Sequence, residues 1–405
     1  MRLVLILTTM LIAQSWYDQT PIIKTKHWEL RTDLPQEDIQ SVGELLDTCY
    51  EVYRNYLSNL PQVRNEKLEA WVFANRQDYL ETVQSKTRGD SGVVASTSGM
   101  FIDTGGQQVL AVDASGGWAS FEQTTKNEAF HQFEYSRFRQ KLKPWLNEGL
   151  AEYFEHSAYI NGVIILDQPA EGDIKKLKQA IQSKTVVPFA DFMQTNNQEW
   201  EQGMKRNTLQ YTQAWSMVQF LVHGEGGKHA SEMDTYLKLL QEGMSSEEAF
   251  GKAFDTSGLA TYVIQPQNGK GFLAFQNAWM DYIEQLKPGA TIPTAQRLAY
   301  FASGVLELFR LGRTMPINLE ELATELEAIK FNGQVRVGGE TVTFDAAAVD
   351  TYVVPMDSLV TTQPTFMLDP KGQLPGLSTD GLKPKDLRIK WGGTPQSPTW
   401  EIVLK

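Results

Sequence analysis

The chain has 405 residues, 41% of them hydrophobic and 21% charged, with a formal net charge of -12 and a single cysteine. That length exceeds the size at which one core stops growing, so two or three domains are expected. The acidic balance argues against nucleic acid and anionic membrane as partners, and one cysteine excludes an intrachain disulfide.

In chain order, residues 1–15, MRLVLILTTMLIAQS, place Arg2 before an apolar run that ends in Ala13-Gln14-Ser15. This is the layout of a secretory signal peptide cleaved after Ser15, and predicts an exported, periplasmic or secreted product. The run is shorter than the roughly 20 residues a membrane span requires. No later stretch is apolar enough to cross a bilayer, so no stable membrane insertion is expected after cleavage.

Residues 16–119 read as an N-terminal α/β subdomain with an edge hairpin. The strand HWELRT precedes a helix over 35–60, and the strand KLEAWVFA precedes a shorter helical stretch. Cys49 falls in the apolar stripe Val42, Leu45, Leu46, Val52 and Tyr56 of the first helix, as a buried structural thiol would. Two β-rich runs around Thr104-Gly105-Gly106 predict the hairpin, with residues 108–113 as its edge strand. Residues 120–288 read as a helical subdomain. It opens with helices over 120–138 and 145–159, Pro144 sitting in the first turn of the second. Further on, His223 ends an apolar helix before Gly224-Glu225-Gly226-Gly227 and reads as a helix-terminal cation. Residues 289–405 read as a helical linker and a small β-rich C-terminal module, from a change of composition alone.

The first helix of the second part carries Asn127-Glu128-Ala129-Phe130-His131. Two histidines one turn apart project from the same helix face and grip one zinc ion, while a glutamate between them takes a proton from the metal-bound water. Here the pattern is degenerate, with Asn127 at the first position, and by itself it is weak. A second segment lies 16 residues beyond His131: Pro144-Trp145-Leu146-Asn147-Glu148-Gly149-Leu150-Ala151-Glu152-Tyr153-Phe154.

With both segments the chain resembles the gluzincins, whose third zinc ligand is a glutamate inside a Trp-Leu-Asn-Glu-Gly-(Leu/Phe)-Ala stretch on a following helix. It is most similar to the peptidase-MA-like family of bacterial exported proteins of unknown function, over residues 92–279. The resemblance implies an α+β, zincin-like metallopeptidase core: a small α/β layer, an active-site helix and a mostly helical lower half. It implies Glu128 as general base, His131 and Glu148 as zinc ligands, Glu152 as the carboxylate that orients the first ligand, and Tyr211 as an oxyanion donor. It also implies a peptide or protein ligand in the cleft, with the strand at 108–113 offering its backbone to an extended peptide.

Asn127 departs from that pattern where it matters most, because a neutral amide is a far poorer zinc donor than an imidazole. Without zinc nothing in the constellation brings water from a pKa of 15.7 to about 7. Three readings follow. The leading one is an inactive or weakly active peptidase-like protein that keeps the cleft and binds peptide or protein. The second is an active zinc-dependent peptidase that tolerates Asn127 and cuts through Glu128. The third is a structural scaffold whose C-terminal module carries the role.

Overall fold

The computed structural model describes residues 16–64, 68–87, 91–103, 107–204, 209–261, 263–265, 269–337, 340–345 and 364–405. The expected signal peptide and the hairpin tip at 104–106 lie outside them.

The N-terminal layer is a five-stranded sheet. Helix α1 (Trp16–Gln19) precedes β1 (Ile22–Lys24) and β2 (Trp28–Thr32), which pair antiparallel. Helix α2 (Gln36–Tyr56) then crosses over to β3 (Leu68–Phe73), parallel to β2. After α3 (Arg76–Thr87) and α4 (Ser91–Ser96), β4 (Gly99–Asp103) turns back onto β5 (Gln108–Asp113). The order is β1-β2-β3-β5-β4, with β3 and β5 parallel. Residues 108–113 are therefore an inner strand, not the edge expected from sequence, and β4 forms that edge. The reason lies in Val109-Leu110-Ala111-Val112, buried throughout; a continuous apolar run suits a strand covered on both faces and flanked on both sides. Pleating divides β3 between two layers. Ala70 and Val72 face α2, with Leu45, Leu46 and a fully buried Cys49, whereas Trp71 and Phe73 pack with Tyr79 and Val83 of α3. Burial pushes the Cys49 thiol up to about 12, so it stays an inert core group.

Helix α5 (Trp118–Arg137) follows the sheet, and α6 (Pro144–Glu155) follows α5. The second helix stops four residues before the expected 159. Asn161 and Gly162 both take positive φ, 45° and 77°, and Ile160 pairs with Val163. An Asn-Gly pair of this kind makes a two-residue hairpin turn, which joins β6 (Ala158–Ile160) to β7 (Val163–Ile165).

The helical part continues through α7 (Glu171–Gln182), α8 (Phe189–Gln194), α9 (Asn197–Met204), α10 (Leu209–Gly227), α11 (Ala230–Gln241) and α12 (Ser246–Ala253). The short pair β8 (Val263–Gln265) and β9 (Gly269–Gly271) leads to α13 (Leu273–Gln285). One apolar core runs from Trp28 to Leu286, so the N-terminal layer and the helices are built around the same interior.

Helix α14 (Thr291–Arg310) is no tether. Tyr300, Phe301, Val305 and Leu308 are fully buried at the centre of a second core. Around it stand α15 (Leu319–Ala328), the hairpin β10 (Gly333–Val337) and β11 (Glu340–Phe344), and a four-stranded antiparallel sheet. That sheet comprises β12 (Thr365–Asp369), β13 (Gly376–Asp380), β14 (Leu387–Thr394) and β15 (Ser397–Leu404). Ala158, Ile160 and Ile165 of the β6–β7 hairpin are buried in this second core, and Asn161 Nδ2 donates to the Ile402 carbonyl at 2.7 Å. The molecule is a mixed α+β protein with a β-rich C-terminal module. Among the described residues no helix is long and apolar enough to cross a membrane.

Candidate functional site

On α5 the buried residues Thr125, Ala129, Phe130 and Phe133 hold the helix to the core, while Asn127, Glu128 and His131 are half-buried on its other side. On α6, Leu146, Leu150, Tyr153 and Phe154 are buried, and Asn147, Glu148, Glu152 and Glu155 are half-buried. The two sets meet. His131 Nε2 lies 3.6 Å from Glu148 Oε2. Glu128 Oε2 accepts the Phe101 backbone N–H of β4 at 2.9 Å, which ties the helix to the sheet edge. Gly99 permits this approach: a Cβ there would collide with Thr124 Cγ2 and lie 3.0 Å from Glu128 Cγ. A corresponding contact seats α6 on α10, where a Cβ on Gly149 would fall 2.7 Å from the Ala214 carbonyl oxygen.

Asn127 is engaged within the protein. Its Nδ2 donates to Glu155 Oε2 at 2.9 Å. The carboxylate beside the first position of the degenerate motif is thus Glu155, not Glu152. Glu152 turns to His156, its Oε2 being 3.7 Å from Nδ1. His156 is fixed on three sides: its Nδ1 meets the Glu152 carbonyl at 2.8 Å, its Nε2 meets Asp173 Oδ2 at 3.0 Å, and its ring stacks on Trp215 with centroids 4.6 Å apart. Tyr211 opens α10 with its ring edge-on to Trp200, at 5.4 Å. Burial pushes its pKa up, and the nearby Glu148, Glu152 and Glu128 push it further, so it stays protonated.

His223 differs from its expected role. Tyr153 Oη lies 2.8 Å from its Nε2 and Asp167 Oδ2 is 3.8 Å from its Nδ1. Burial lowers its pKa despite Asp167, so it is a neutral hydrogen-bonding group rather than a helix-terminal cation.

The electrostatics follow from placing several carboxyl groups in one half-buried pocket. Burial raises Glu128 to about 7, with Glu155 adding to the rise and the Phe101 N–H opposing it. Burial raises Glu148 to about 8, reinforced by Glu128, Glu152 and Glu134. Glu152 also rises to about 8, through burial and then Glu155. Burial depresses His131 to about 4, against the neighbouring Asn147 side chain. At neutral pH the facing His131 and Glu148 are therefore both predominantly uncharged.

The donors present do not make up a three-residue catalytic zinc site. His131 and Glu148 supply two donors on facing helices, but the position one turn before His131 offers an amide whose nitrogen is bonded to Glu155. Among the described residues no group of three or more His, Cys, Asp and Glu side chains is arranged to hold a metal ion.

Sequence reasoning singled out Asn127, Glu128, His131, Glu148 and Glu152, which the structure gathers in one pocket with Tyr211 within electrostatic reach. It set His156 aside as two helical turns past Glu148 and too far to share its ion, and it passed over Glu155 and Asp173. Helical spacing held a signal for Glu155, since positions 148, 152 and 155 follow one another at intervals of four and three and so share a face. Asp173 comes from another helix and left none.

Residues 122–240 match a family described as a protein of unknown function (DUF1570), a span that contains every residue of this pocket except Phe101. A comparison with curated proteins finds no match. The chain is thus a mixed α+β protein whose half-buried carboxylate and histidine pocket lies in the region similar to that family.

Proposed function

We propose that the chain is an exported, gluzincin-like peptidase homologue of the peptidase-MA type. In this reading it holds a peptide or protein segment in its cleft and cuts it weakly or not at all. The observation that carries the reading is the 2.9 Å hydrogen bond from Asn127 Nδ2 to Glu155, at the position where a zinc peptidase needs its first imidazole. An amide committed to a carboxylate is a poor metal donor, and Glu128 without a metal faces water of ordinary acidity. Binding needs none of this. β4 is an end strand of the sheet and, apart from the Phe101 N–H that Glu128 takes, its outer side can add an extended peptide as a further strand.

Metal analysis after dialysis, run on the unaltered protein and on Asn127→His, tests the reading. The expected outcome is no retained zinc and no peptidase activity in the first, and about one zinc per chain with peptide cleavage in the second. Stoichiometric zinc in the unaltered protein overturns it. The alternative of an active zinc-dependent peptidase draws support from the 3.6 Å approach of His131 to Glu148, a geometry that leaves two ligands poised to share an ion. Capture of peptides by the unaltered chain supports the binding role, and failure to capture any favours a scaffold.

A further inference from the structure

A cavity of about 580 Å³ lies away from the pocket, where the N-terminal layer, the first turn of α5 and the β6–β7 hairpin meet the C-terminal module. Its volume falls within the roughly 300–1,000 Å³ of small-molecule sites, which favour such junctions between units. Its walls have two characters. Phe121, Ile160, Val337 and Ile402 are buried, and the half-buried rings of Trp118, Tyr159 and Trp400 complete an aromatic lining drawn from both sides of the junction.

The polar groups around this lining are planar and underused. Asp38 and Arg336 make no side-chain hydrogen bond or ion pair with described residues, and both are exposed at the rim. Asn161 spends its Nδ2 on the Ile402 carbonyl, which leaves its Oδ1 as an acceptor. Glu401 pairs with Lys390 at 2.6 Å, and both partners are solvent-exposed, so the pair is weak and readily exchanged.

We propose that this cavity is a saccharide-binding site for one or two pyranose rings. A pyranose has apolar C–H faces that lie against indole and phenol rings. Its edge carries hydroxyl pairs, each both donor and acceptor, which match the paired oxygens of a carboxylate and the forked donors of a guanidinium. A wholly apolar ligand would leave the rim groups Asp38 and Arg336 unused, and a highly charged one would meet groups of both signs. Trp118 and Trp400 belong to opposite sides of the junction, so a ring between them contacts both parts of the molecule at once.

Isothermal titration calorimetry and tryptophan fluorescence with N,N′-diacetylchitobiose, cellobiose and maltose test this. At least one is expected to bind at 1:1 with a fluorescence change, and Trp400→Ala and Asp38→Asn are each expected to weaken that binding at least tenfold. Asp38 is exposed, so its substitution leaves folding intact, which thermal unfolding checks, and its result stands even if Trp400→Ala misfolds. Failure of all three sugars to bind overturns the proposal. Binding that persists unchanged in Asp38→Asn overturns it too.

Discussion

Asp173 reaches across from α7 to grip the histidine that ends α6, and the charges of the two groups are mutually dependent. Burial alone would lower His156, but the bond to Asp173 and the neighbouring Glu152 and Glu155 outweigh it, so its pKa is raised. The His156 bond, aided by Lys176, brings Asp173 down from 3.8 to about 2. The raised histidine adds stability that is complete below its unfolded value of 6.5 and fades as pH rises through the folded value. The lowered carboxylate adds stability that is present above 3.8 and is lost as pH falls through about 2. The pair is therefore strongest between about pH 4 and 6.5. Asp173→Asn is expected to lower the His156 pKa, read by NMR titration of the ring, and to cost on the order of 2 kcal/mol near pH 5. The mutant should lose less stability at pH 9. An equal loss at both values would show that the pair is not held by charge.

At the scale of elements, the pocket depends on how closely α6 and α10 approach. Gly149 makes their contact through backbone, so Gly149→Ala must push the helices apart or shift the Ala214 carbonyl. Overpacking of this kind costs about 1–3 kcal/mol, and denaturant unfolding should show that loss. Glu148 is the next residue, so the same change is expected to alter the His131 and Glu148 spacing as well. Most of these elements were legible in the sequence. The apolar stripe of α2 with Cys49, and the paired motifs of α5 and α6, carry strong local periodicity. What escaped depended on long-range pairing or on a turn. The sheet order rests on β3 choosing β5 across an intervening 34 residues, which no local pattern encodes. The hairpin after α6 was signalled by Asn161-Gly162, a two-residue turn hidden behind an apolar stretch that also suits a helix. The Asn127 to Glu155 bond was invisible because it joins two helices, although the oddity of Asn127 itself stood out.

For the whole molecule the informative feature is that two apolar cores share one hairpin. The first interior runs from Trp28 to Leu286, and the second surrounds α14, yet Ala158, Ile160 and Ile165 leave the first to be buried in the second. A chain ended after residue 288 would uncover these side chains. The two isoleucines alone, at about 1.5–3 kcal/mol each, predict a loss of roughly 3–6 kcal/mol together with increased binding of an apolar dye. A truncated chain as stable as the full one would mean that the module rests on its neighbour without supporting it.

The same hairpin sets a clock on assembly. Asn161 and its acceptor Ile402 are 241 positions apart, so at synthesis rates of about 5–20 residues per second the hairpin waits roughly 10–50 s before its partner strand exists. Throughout that interval its isoleucines have α14 as a partner but lack the strand that completes their core. The nascent chain therefore carries a partly covered apolar segment beside its pocket helix until residue 402 has been made, and its yield should depend on whatever shields that segment in the meantime.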